Sequence, residues 1–174
     1  MTRRRSRLYR SRRGLSHDAP VTGRKPARSP GVRAMKRHFV SVADFSKKEL
    51  SDLLDRALEL KNRRPRFEAQ GPLEGKMLGL LFEKPSLRTR VTFEVAMRQL
   101  GGESLYLSAH EVQLGVREAV KDVAFNLARW MDGIVLRTFR HEVVQELARF
   151  SSVPVINGLT DLLHPCQAFS DLLT

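Results

Sequence analysis

The segment Glu83-Lys84-Pro85-Ser86-Leu87-Arg88-Thr89-Arg90 gathers hydroxyl and guanidinium groups directly after an apolar run, where a helical pattern begins. A helix start presents unpaired N–H donors and a partial positive charge, which together favour an anion. Ser86 and Thr89 add hydroxyl donors, and Arg88 adds a planar fork matched to phosphate oxygens. The segment is not glycine-rich, so side chains must supply much of any binding. A plainer reading of the same residues is a serine-capped helix carrying solvated arginines.

A second cluster, His164-Pro165-Cys166-Gln167, stands at another strand-to-helix turn. Histidine can donate to a carbonyl oxygen and glutamine can accept from an NH2 group, so the pair suits an amide-like ligand. A capping histidine is the plainer alternative. Metal is not expected, because no second cluster of ligand-type residues accompanies His164 and Cys166. Nor is Cys166 expected to be a nucleophile, since a base two residues before it is poorly placed to activate it. Arg137 closes a third apolar run, in Leu136-Arg137-Thr138-Phe139, as either a surface charge or a further ligand for the same anion. Gln113-Leu114-Gly115-Val116-Arg117-Glu118 lies in a stretch whose composition alone suggests a flexible loop.

The elements that must position these groups alternate between helical and strand periods. Ser46 and Glu49 fit a capping box. Leu50, Leu53, Leu54, Ala57 and Leu58 then form the stripe of a helix with one buried face, ended by Pro65 and Gly71-Pro72. Met77–Phe82 reads as a strand buried on both faces, and 88–100 as a helix closed by Gly101-Gly102. Residues 104–107 read as a second strand and 108–116 as a loop. A helix over 118–131 carries Val120, Val123, Leu127 and Met131 on one side. A third strand is expected at 133–136, a helix at 141–150, a fourth strand at 153–156 and a helix from Pro165. This order predicts an α/β domain, a parallel sheet flanked by helices on both faces. Ligands of such sheets bind outside the carboxyl ends of the strands, which points to 83–90, 108–117, 137–141 and 157–167.

The net charge of +12 invites a nucleic-acid reading, but its distribution argues otherwise. Residues 1–34 hold ten arginines and Lys25 against Asp18, a net +10, which leaves only +2 for residues 35–174. The first 34 residues are rich in Arg, Ser, Pro and Gly without apolar periodicity, so they read as a disordered basic extension. They are an extension upstream of a functional start at Met35, an organelle transit peptide, whose Arg-rich, Ser-rich and acid-poor composition they share, or a nucleic-acid-binding arm. No apolar run approaches the roughly 20 residues a membrane-spanning helix needs. The single cysteine suits a reducing compartment and excludes an internal disulfide.

Taken together, Ser-x-Arg-Thr-Arg at 86–90, Arg137 and His-Pro-x-Gln at 164–167 resemble the aspartate/ornithine carbamoyltransferase family over roughly residues 39–174. Phe82-Glu83-Lys84-Pro85, Gln113-Leu114-Gly115 and Asn157-Gly158-Leu159-Thr160-Asp161 look like the ornithine branch. Leu87 stands where the commonest pattern has Thr, so a hydroxyl contact is lost while the backbone N–H remains. Branches that use acetylated or succinylated ornithine also carry Leu there, which leaves the choice between plain and acylated ornithine open.

The resemblance implies transfer of a carbamoyl group from carbamoyl phosphate to the side-chain amine of ornithine, giving citrulline and phosphate, a step of arginine biosynthesis. It implies no metal, no organic cofactor and no covalent intermediate. By the same resemblance, Ser86, the Leu87 N–H, Arg88 and Thr89 hold the phosphate. Arg137, His164 and Thr89 polarise the carbonyl oxygen, and Gln167 holds the carbamoyl NH2. Gln113 is expected to reach the site of a neighbouring subunit in a homotrimer, and Arg90 to be structural. Residues 35–174 would then be the carbamoyl-phosphate-binding domain. The amino-acid-binding domain would follow Thr174, so the chain is expected to be an N-terminal fragment, inactive alone, of a cytoplasmic enzyme, or of a mitochondrial one if residues 1–34 are a transit peptide. Two alternatives stand beside it: an aspartate or acylated-ornithine carbamoyltransferase, and a non-catalytic protein binding nucleic acid through its basic tail, which steep salt dependence would reveal.

Overall fold

The computed structural model describes residues 37–63 and 71–174. The basic extension and Pro65 lie outside these residues. Within them, helix α1 spans Lys47–Arg63. Strand β1 (Met77–Phe82), helix α2 (Leu87–Gln99), strand β2 (Glu103–Ser108) and the single-turn helix α3 (Ala109–Val112) follow. Helix α4 (Val120–Trp130), strand β3 (Gly133–Arg137), helix α5 (His141–Phe150), strand β4 (Val155–Leu159) and helix α6 (Pro165–Leu172) complete the order.

The four strands form one parallel sheet in the order β2-β1-β3-β4. Its middle is apolar on both sides because β1 and β3 are covered twice. Leu81, Ile134, Leu136 and Val155 pack with the inner stripes of α4 and α5, including Val123, Leu127, Val144 and Leu147. Leu78, Leu80, Phe82 and Val135 face the other way, toward Met97 and Phe93 of α2. The stripe expected on α4 is therefore buried as a set: Val120, Val123, Leu127 and Met131 all lie in the core. Strand periodicity then assigns Arg137, two residues beyond Val135, to the α2 side of the sheet.

Strand order decides where a ligand can enter. The chain leaves β1 toward β2 on one side and then crosses back to β3 on the other, so the connections diverge between β1 and β3. At such a switch point the loops fold away from each other and open a crevice at the carboxyl ends of the strands. Register makes that edge level: Phe82 pairs with Arg137, and Arg137 with Leu159.

Four local expectations need correction. The loop expected at 108–116 contains α3, whose start is tied by the Ser108 N–H and hydroxyl, both donating to the Glu111 carboxylate at 2.9 and 2.8 Å, the acidic half of a capping box. The helix expected from residue 118 begins at Val120 and that expected to reach Met131 ends at Trp130, a boundary shift only. The fourth strand runs 155–159 rather than 153–156, since Ser151 captures Val153 in a side-chain turn. It continues through Asn157-Gly158, residues that ordinarily punctuate loops. Asn157 is fully buried and donates its amide to the Val40 carbonyl at 3.1 Å. Gly158 is required there, because a Cβ would lie 2.9 Å from Val135 Cγ1 and 3.4 Å from the Leu136 carbonyl oxygen.

Helix α1 is the fourth. Its capping box forms as read, with the Ser46 N–H and hydroxyl donating to Glu49 at 2.8 and 2.7 Å. Arg37 also pairs with Glu49, and its guanidinium, followed by the Ser46 donors, holds that carboxyl down at about 2. Yet no residue of α1 is buried, and Leu53 and Leu58 each remain 41% exposed. The amphipathic stripe specifies a face that favours burial; it does not specify what covers it.

Candidate active site

The crevice is built from three turns at the carboxyl edge of the sheet. The first is the start of α2. Ser86 caps it from an extended conformation, its hydroxyl oxygen accepting from the Thr89 N–H at 3.4 Å and its O–H donating to the Thr89 hydroxyl at 3.0 Å. Such a cap satisfies one of the free donors of the first turn and leaves others facing outward. Leu87 begins the helix with its side chain 79% exposed, which leaves its backbone N–H as the group it can turn toward the crevice.

Arg137 enters from the end of β3, on the side its strand period assigns. Its Nη1 donates to the Thr89 hydroxyl at 3.4 Å, so the strand-end arginine meets the phosphate-type turn. Its Nε is buried and has no hydrogen-bond partner among the described residues. Burial lowers the pKa of this guanidinium from its ordinary value, yet arginine remains charged at neutral pH. A buried, unpaired donor on a cation is costly, and it leaves that N–H open to an acceptor.

The third turn carries His164, the N-cap of α6, with Pro165 in the first helical turn. His164 Nδ1 accepts from the Gln167 N–H at 3.4 Å. Accepting there requires that Nδ1 carry no proton, so the neutral ring bears its proton on Nε2 and can donate. Burial, and then the charge of Arg137, lower the His164 pKa below its ordinary 6.5, against a weaker opposing pull from Asp171. Burial and Arg137 both favour the uncharged ring. Gln167 follows one turn into the helix, its Nε2 donating to Asp171 at 2.8 Å. Both of the expected turns therefore contain the plainer cap geometry, and both use it to orient the groups proposed for binding.

Arg88, Thr89, Thr92, Phe93, His164, Cys166, Gln167 and Ser170 line one cavity of about 200 Å³ between α2 and α6. The structure thus brings together Thr89, Arg88, His164 and Gln167, with Ser86 and Arg137 joined to Thr89 by hydrogen bonds. Gln113 is not among them. It is exposed on the turn after α3, with φ of 44°, and its carbonyl accepts from Val116 and Arg117 at 3.0 Å each. Arg90 turns away from the cavity, donating to Glu94 at 2.8 Å and lying 3.9 Å from the centre of the Tyr106 ring. Cys166 borders the cavity, but burial raises its thiol to about 11 and its Sγ donates to the Asn157 carbonyl at 3.4 Å, so it is not poised as a nucleophile. Among the described residues, no group of three His, Cys, Asp or Glu side chains is placed to hold a metal ion.

Sequence reading missed two contributions. Thr92, Phe93 and Ser170 complete the cavity wall at helical spacing from Thr89 and Cys166, a signal visible only once both helices are known to converge. Lys84, named only as part of its segment, pairs with Asp161 and lies 4.4 Å from the centre of the Phe139 ring.

Residues 37–174 match the profile of the aspartate/ornithine carbamoyltransferase, carbamoyl-P binding domain. The chain is 52% identical over 143 residues to an ornithine carbamoyltransferase of Anoxybacillus flavithermus, covering 82% of this chain and 46% of that one. A crystal structure of ornithine carbamoyltransferase from Thermus thermophilus superposes with a TM-score of 0.71 at 54% identity, covering 77% of this chain and 46% of that one. An N-acetyl-L-ornithine transcarbamylase mutant, solved with carbamyl phosphate and N-succinyl-L-norvaline, superposes with a TM-score of 0.71 at 31% identity, over 79% and 46% of the two chains. The chain therefore spans about half the length of the curated relatives it matches.

Proposed function

Because the chain belongs to the aspartate/ornithine carbamoyltransferase family through its carbamoyl-phosphate-binding domain, we propose that the crevice between α2 and α6 binds carbamoyl phosphate and serves transfer of its carbamoyl group to the side-chain amine of ornithine. The observation that carries this reading is Arg137: a buried, unpartnered guanidinium donor between a helix start and a neutral histidine. The phosphate sits over the first turn of α2, taking donors from Ser86, the Leu87 N–H, Arg88 and Thr89. The carbonyl oxygen then lies toward Arg137, His164 Nε2–H and the Thr89 hydroxyl, and the carbamoyl NH2 toward the Gln167 carbonyl oxygen.

In this arrangement the amine attacks the carbonyl carbon directly. Negative charge grows on the carbonyl oxygen as the tetrahedral centre forms, and donors already aimed at that oxygen stabilise it without reorganising. Phosphate departs with the electron pair of the C–O bond, held by the helix start and Arg88, and takes up the proton that the attacking amine loses, so that the products are citrulline and hydrogen phosphate. No metal or organic cofactor has a step in this scheme, and catalysis rests on orientation and on charge. The product of the whole enzyme is citrulline.

Ornithine is preferred to its acylated forms as acceptor because identity to ornithine carbamoyltransferases, 52%, exceeds the 31% shared with the N-acetyl-L-ornithine enzyme. Leu87 is the residue that favours the second reading. We further propose a cytoplasmic homotrimer, supported by the exposed Gln113 turn, which is free to meet a neighbouring subunit, and by a lone cysteine suited to a reducing compartment. Calorimetric titration of the chain tests the ligand: carbamoyl phosphate should bind more tightly than inorganic phosphate, and equal affinity for the two would remove the carbonyl contacts from the account.

A further inference from the structure

Lys84 stands two residues before Ser86, where a lysine would ordinarily be read as a point charge for the phosphate. Its side chain is only 17% exposed, and its ammonium is already engaged, paired with Asp161 and stacked over the Phe139 ring. It does not line the cavity. These three residues lie on the turns after β1, β3 and β4, the turns that build the site. Backbone bonds run alongside: the Glu83 N–H donates to the Arg137 carbonyl at 2.8 Å, Thr138 to Leu159 at 3.0 Å, and Asp161 to Phe139 at 2.8 Å. The Thr138 hydroxyl also donates to the Glu83 carboxylate.

We propose that Lys84 is a positioning residue for the anion site, which clamps the 83–90 turn to the turns carrying Arg137 and His164 through Asp161 and Phe139, and is not itself a ligand of the anion. The inference rests on the reading of the crevice as a carbamoyl phosphate site and deepens it. Ser86 and Arg88 bind one end of the ligand, and Arg137 and His164 the other. Releasing the clamp lets the two ends separate, so affinity falls although no ligand contact is removed. Asp161 is three residues before His164, which makes it an equal partner in that spacing.

Carbamoyl phosphate titrated calorimetrically into the 174-residue chain tests this, with Lys84→Met, Asp161→Asn, the double variant and Lys84→Arg compared far below their melting temperatures. For a partly exposed pair, each of the first two should weaken binding about two- to fivefold. The double variant should be no weaker than the weaker single, and Lys84→Arg should bind as the unaltered chain does. Unchanged or tighter binding by Asp161→Asn beside a large loss in Lys84→Met would make Lys84 a direct ligand and overturn the proposal. Lower melting temperatures with unchanged affinities would reduce the pair to a structural role and overturn it too. No binding by the unaltered chain would be a different failure, that of the site reading, and would take this inference with it.

Discussion

Replacing Arg137 with methionine separates binding from folding, because the two respond in opposite directions. In the folded chain the Nε of Arg137 is buried without a partner, and a buried unsatisfied donor costs about 1–3 kcal/mol, more on a charged group. Methionine keeps most of the length and apolar packing and removes that cost. What it loses is the Nη1 bond to Thr89, long at 3.4 Å and worth about 0.5–1 kcal/mol at most. The balance is a stability unchanged or raised by about 1 kcal/mol, and for a chain of this size 1 kcal/mol moves the melting temperature by about 2–4 °C. Binding falls, because a hydrogen bond from a charged donor contributes about 1.5–3 kcal/mol, roughly ten- to 150-fold in affinity. Scanning calorimetry with and without carbamoyl phosphate reads both quantities, since a ligand at free concentration L that binds only the folded state stabilises it by RT ln(1 + L/Kd) and raises the melting temperature accordingly. A variant that melts well below the unaltered chain while keeping its affinity would refute the reasoning, because Arg137 would then be a structural cation.

Three further outcomes are expected. Gly158→Ala should destabilise the fold by about 1–3 kcal/mol in denaturant titrations, since its Cβ would meet the stiff, fully buried Val135 at 2.9 Å; a midpoint unchanged within error would show that the strand can shift. Cys166→Ala should leave carbamoyl phosphate affinity nearly intact, and the native thiol should react far more slowly with a disulfide reagent at pH 7 than an unfolded control, as a thiol near 11 is about one ten-thousandth ionised there. The pKa of His164 is lowered on folding, so the unfolded chain binds the extra proton first and stability should decline as pH falls below 6.5, levelling once the folded ring has also titrated. Glu49 is also lowered, to about 2, so its contribution is present above 4.5 and lost as pH falls toward 2; His164→Gln should remove the upper step and leave the lower one.

The parallel sheet was legible because its central strands are short uninterrupted apolar runs separated by helical stripes. The limits of β1 agree with that reading at both ends. What was not legible depended on side chains that contradict their usual local meaning. Asn157 and Gly158 signal a turn by type, yet they continue β4, because Val40 satisfies the buried amide and the close approach of Val135 requires a residue without Cβ. The stripe of α1 has helical period and lies on a helix, but period carries no information about the partner, and Leu53 and Leu58 stay exposed. In the site, individual segments were ambiguous between caps and ligands. The structure shows caps at Ser86 and His164 whose donors converge on Thr89 and the cavity, an arrangement in which a cap can also orient a ligand group. The clamp at Lys84 could not be read from spacing, as Lys84 and Asp161 are 77 residues apart.

A crystal structure of the chain with carbamoyl phosphate tests the central claim most directly. The account predicts the phosphate over the first turn of α2, in contact with Ser86, Arg88 and Thr89. It predicts the carbonyl oxygen about 2.7–3.2 Å from a guanidinium nitrogen of Arg137 and from Nε2 of His164. A ligand bound elsewhere, or bound in the crevice with its carbonyl oxygen directed away from both Arg137 and His164, would contradict it.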